Sequence, residues 1–155
     1  MPLANRVRPR IGDVVEFQTG TGLAYAHFTH AHRQYGSLLR VFGEIHSVRP
    51  MDFAQVVAQP FQFEAFFPLG AACARKVVAL VASEQVSPPC DFPIFRTGIQ
   101  NATGAIQTWW LWDGETERRI GSLEPGMERY PIRGIINDTL LVERIASGWR
   151  AESVA

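Results

Sequence analysis

The chain has little cysteine, no excess of either charge and no long apolar run. Two cysteines in 155 residues, Cys73 and Cys90, supply no framework of crosslinks and read as the reduced thiols of a cytoplasmic protein. Fifteen basic residues balance fifteen acidic ones, which argues against non-specific binding to nucleic acid or to a membrane surface. No stretch approaches the roughly 18 apolar residues of a membrane span, and the leading MPLANRVRPR lacks the apolar segment of a secretory signal. Internal repeats and nucleophile elbows are missing too. The Thr19-Gly20-Thr21-Gly22 stretch is too short for a phosphate-cradling loop, so no cofactor is expected.

What the chain does have is aromatic residues and turn formers. Ten Phe, four Trp and three Tyr, with ten Pro and thirteen Gly, suit strands and turns better than a helical bundle. Three of the tryptophans crowd into Thr108-Trp109-Trp110-Leu111-Trp112-Asp113-Gly114, an apolar run ending in an Asp-Gly turn signal. This predicts a hairpin from about 105 to 123 at the centre of the fold. Alternation places Trp110 and Trp112 on one face and Trp109 and Leu111 on the other, so the first strand should be central and covered on both sides. A two-residue loop would pair Trp110 with Glu117, and a three-residue loop would pair it with Arg118.

The remaining chain divides into short elements. Residues 1–10 read as a loose lead-in. Strand composition at 13–18, 23–32 and 38–46, separated by turn residues, predicts an antiparallel meander, with Gly43 a candidate bulge. Asp52 is placed to cap a short helix carrying Phe53, Val56 and Val57. An aromatic-rich stretch covers 61–69. Helical and strand periods compete across 71–85, and its valines favour a strand. The prolines of 87–93 demand an irregular crossing loop. Asn137 or Asp138 caps a helix through Ser147, with Leu141, Ile145 and Trp149 as its inward stripe and Gly148 closing it. The expectation is one α+β domain over 11–149, mostly antiparallel sheet with a C-terminal helix, followed by a tail at 150–155.

Candidate chemistry is sparse. His30 and His32 share a strand face, and with His46 they are the first ligands to test for a metal, completed by Asp13 or Glu16. Two histidines at alternate strand positions are more commonly an ordinary polar face, and no bound metal is expected. Neither cysteine sits in a nucleophile motif. Glu115 and Glu117 beside Arg118 and Arg119 describe an exposed charged strand. Trp109, Trp110 and Trp112, with Asp113, are the candidate binding residues: core filling is the plainer reading, and a stacking face or an interface anchor the functional one.

Several patches in order resemble the immunity protein 26 family, small bacterial proteins of polymorphic toxin systems. They are Ile11-Gly12-Asp13-Val14-Val15-Glu16, Tyr25-Ala26, Phe66-Phe67-Pro68-Leu69-Gly70 and Phe92-Pro93-Ile94-Phe95-Arg96. The Trp109–Gly114 run follows, then Pro131-Ile132-Arg133-Gly134-Ile135, Asn137-Asp138-Thr139-Leu140-Leu141 and Ser147-Gly148-Trp149. The resemblance implies an α+β fold and a non-enzymatic protein that binds and neutralises a cognate toxin domain. The same family label is attached to a small phosphotriesterase-like protein. That branch implies metal-assisted phosphotriester hydrolysis, for which His30, His32 and His46 are the ligands to test. A small-molecule module using the tryptophan face is a third class.

Overall fold

The computed structural model describes residues 8–88 and 90–154, so most of the lead-in expected at 1–10 lies outside the described residues. The chain forms a single α+β domain of two antiparallel sheets. β1 (Asp13–Gln18), β2 (Leu23–His32) and β3 (Gly36–Val41) make the predicted meander. β4 (Phe63–Phe67) adds beside β3, and β5 (Val78–Ser83) returns to pair with β1, giving the order β4-β3-β2-β1-β5. The second sheet has the order β6-β7-β8, from β6 (Phe95–Gln100), β7 (Ile106–Trp112) and β8 (Glu117–Gly121). Among the described residues no helix is long and apolar enough to cross a membrane.

Alternation decides what each face of the larger sheet does. One face carries Val15, Phe17, Ala26, Phe28, Leu39, Val41, Phe63 and Phe67, all buried. It is covered by α2 (Leu69–Ala74) and by α3 (Asp138–Ser147), whose Leu141 and Ile145 are its apolar stripe, with Trp149 packed alongside. α3 begins where Asn137 Oδ1 accepts the Leu140 amide at 2.8 Å, and it ends at Gly148 with φ of 68°, a conformation glycine adopts without Cβ strain.

The opposite face is divided. One end packs Val14, Tyr25 and Phe42 under α1 (Phe53–Val57), which is capped by Asp52 as predicted. The other end packs Leu38 and Phe66 against Phe95 and Trp112 of the second sheet. Between them runs a polar row, with His27 opposite Arg40 and Arg40 opposite Glu64.

Three local expectations are corrected. The stretch 71–85 is not one strand: its first residues complete α2, the chain reverses at Lys76 with φ of 58°, and only Val78–Ser83 is extended. β3 stops at Val41, and Gly43 lies in the irregular segment after it rather than in a bulge within a strand. The Trp-rich hairpin has neither of the loop lengths considered. Trp112 pairs with Glu117 and Trp110 with Arg119, because Asp113 Oδ1 accepts the amides of both Glu115 and Thr116 at 2.9 Å and so builds a four-residue turn.

Candidate functional site

The histidines of β2 are absorbed by the backbone that lies over them. His27 is buried, and its Nε2–H donates to the carbonyls of Glu84 at 2.9 Å and Gly12 at 3.1 Å. Burial pushes its pKa below the ordinary histidine value, and the carbonyl bonds only partly oppose that. His30 Nε2 donates to the Cys90 carbonyl at 3.0 Å, and His32 Nε2 donates to the Gly114 carbonyl at 2.7 Å. The other nitrogen of His32, Nδ1, accepts the amides of Gln34 and Tyr35, so both ring nitrogens are occupied. The row stitches the crossing loop and the tip of the Trp-rich hairpin onto the larger sheet.

This geometry does not assemble the three histidines into a metal shell. His46 bridges to Leu23, at the start of β2, whereas His30 and His32 are at its end, roughly 25 Å away at about 3.3 Å per residue. Its closest acid is Glu44, 3.8 Å away. Glu16 is also committed elsewhere. Its buried carboxylate takes a bidentate pair from Arg49 at 2.8 and 2.9 Å and the Tyr25 hydroxyl at 2.9 Å. Burial raises its pKa, but the Arg49 and Tyr25 bonds outweigh burial and hold it below the usual carboxylate value.

The tryptophans divide as alternation predicts. Trp112 sits in an aromatic box with His32, Tyr35, Phe92 and Phe95, at ring separations of 5.0, 4.9, 5.6 and 5.5 Å. Trp109 is buried on the opposite face beneath the guanidinium of Arg96, 4.5 Å from its ring. Of the three hairpin tryptophans Trp110 is the partly exposed one, and Asp113 serves the turn. The stacking face suggested by the run is therefore mostly core.

Two features carry no signal in the local sequence. The first is the Arg40 cluster. Arg40 donates to Cys90 Sγ, its buried Nε has no partner among the described residues, and it faces Glu64 across the strand pair. Burial pushes the Glu64 carboxyl up to about 7, with Arg40 opposing. His30 Nε2, 3.9 Å from Cys90 Sγ, is not free to act as a base on that thiol, because it donates to the Cys90 carbonyl. Nothing in the local sequence signals the cluster, because Cys90 arrives from a proline-rich loop fifty positions after Arg40.

The second feature is a groove. Two adjoining hollows of about 360 and 490 Å³ share Glu44, His46, Val56 and Gln59. Phe42, Pro60 and Arg150 line the first, and Pro50, Met51 and Asp52 the second. Met51 is fully exposed and Val48, in the same loop, is 74% exposed. The Glu16–Arg49 pair anchors that loop to the sheet.

Compared with known proteins, the chain matches no family model, no curated protein and no solved structure. The functional reading therefore rests on this geometry and on the order of sequence patches.

Proposed function

We propose that the chain is an immunity-type protein that binds a partner toxin domain at the Glu44–Met51 groove and neutralises it without turnover. The observation that carries this reading is the pairing of a concave, amide- and proline-lined groove with the exposed side chains of Met51 and Val48. Large apolar side chains held out beside a hollow are anchors for a partner surface, and a few such anchors supply most binding energy. Glu44 and Asp52 in the groove suit a partner segment that is basic as well as apolar. The patches resembling immunity proteins point the same way. The hydrolase reading has less support, because His46 lies at the opposite end of β2 from His30 and His32.

The test is co-expression with the toxin domain encoded beside the gene. Wild-type protein should restore growth and co-elute with the toxin as a stoichiometric complex. Met51→Asp with Val48→Asp should abolish rescue and leave the thermal midpoint within a degree or two, since both side chains are exposed. Full rescue by that double variant, or rescue by sub-stoichiometric protein without a complex, would refute the reading.

A further inference from the structure

A cleft of about 470 Å³ opens between the Trp109 face of the second sheet, the segment at 132–133 and the C-terminal end of α3. It shares no lining residue with the groove above. Its apolar walls are Ile106, Ile132, Val154, Trp109 and Trp149; Arg133 and Arg144 also line it, with the Arg133 guanidinium turned to Glu117 and the Trp112 ring on the other face. Gly98 lies opposite Trp109 in the floor, and a side chain there would collide with Ile106 and the Trp109 ring.

The charges at this cleft are uneven. Arg133 is neutralised by Glu117 at 3.0 Å. Arg144 is not neutralised: it lies 3.8 Å over the Trp149 ring, and among the described residues no acceptor meets its N–H groups. Burial lowers its pKa, and no carboxylate offsets that cost. Behind the Trp109 ring, the fully buried Arg96 donates to the carbonyls of Tyr130, Glu128 and Ala151, yet among the described residues its Nη1 has no partner. Partly desolvated guanidinium without a counter-charge is costly, and a bound anion removes the cost. Stacking occupies only the flat face of Arg144 and leaves the N–H edge free for a carboxylate or phosphate.

We infer that this cleft binds a small organic anion, a carboxylate or phosphate monoester whose planar apolar body lies against Ile106, Ile132 and Trp109. The volume falls within the range of small-ligand sites, and few polar groups in an apolar hollow is their usual make-up. The inference does not depend on the groove or on the toxin.

Titrating the full chain with three probes that share one ring tests it: 1-naphthoate, 1-naphthyl phosphate and the neutral 1-naphthalenemethanol. Calorimetry at low salt should show at least one anion binding about tenfold or more tighter than the alcohol. The same anion should shift the indole N–H resonances of Trp109 and Trp149. The preferred anion identifies the head group. Arg144→Gln should weaken that anion about tenfold and leave the alcohol unchanged. Because Arg144 also packs on Trp149, Ile106→Asp serves as a second variant: a carboxylate in the cleft wall should weaken the anion in the same direction. Absence of anion binding, equal binding of the alcohol, or wild-type affinity in both variants would overturn the inference.

Discussion

Glu16 and Glu64 lie on the same face of the larger sheet, and their surroundings drive them in opposite directions. Glu64 has its pKa raised by burial from 4.5 to about 7. Its contribution is therefore fully present below pH 4.5 and is lost as pH rises through 7. Glu64→Gln should stabilise the protein at pH 8 by roughly 2–3 kcal/mol and change little at pH 4, as denaturant midpoints at the two values would show. Glu16 has its pKa lowered, so its contribution is present above 4.5 and is lost as pH falls through the folded value. Arg49→Met removes that bidentate partner. Arg49 is more than half exposed, so the cost should be only about 1–2 kcal/mol at pH 7, shrinking towards pH 3 as the carboxylate protonates. At this scale the sequence showed the histidines, but not their partners. The carbonyls of Glu84, Cys90 and Gly114 come from distant loops, and a backbone acceptor leaves no mark in residue type. The fully buried Arg96 escaped for the same reason, since all its side-chain acceptors are carbonyls at 128–151.

The elements that were legible are those whose signals agree. Over 138–147 the Asn137 cap, the apolar stripe and the closing Gly148 all indicate one helix, and the helix is there. Leu141 is fully buried in it, so Leu141→Ala should cost roughly 2–5 kcal/mol. An unchanged unfolding midpoint would mean the helix contributes little to the core. Over 71–85 the signals conflict, because short apolar residues serve a helix face and a strand equally well. The structure divides the stretch at Lys76, a reversal that needs positive φ and that no glycine announces. At the hairpin, Asp-Gly by itself signals a two- or three-residue turn. The Asp113 carboxylate instead organises four residues by accepting amides.

The two sheets meet through an aromatic box and the β2 histidine row. Removing two of its hydrogen bonds with His30→Ala and His32→Ala should cost about 2 kcal/mol, lowering the thermal midpoint by roughly 4–8 °C. The near-ultraviolet signal of Trp112 should weaken, because His32 packs 5.0 Å from its ring. The strand order of the larger sheet also has a bearing on how the chain comes together. β1, the first strand in chain order, ends up beside β5, with three strands and two helices of intervening chain. Its neighbour on one side arrives with a short turn, and its neighbour on the other side arrives late. The β6–β7–β8 sheet, by contrast, is two consecutive hairpins. Closing a long loop is slow and a hairpin is quick. Pulsed hydrogen exchange during refolding should therefore protect the amides between β6 and β7 before those that β1 shares with β5. Until that last strand docks, the N-terminal meander presents an unpaired edge, which makes the half-folded chain, rather than the finished one, the form most exposed to aggregation.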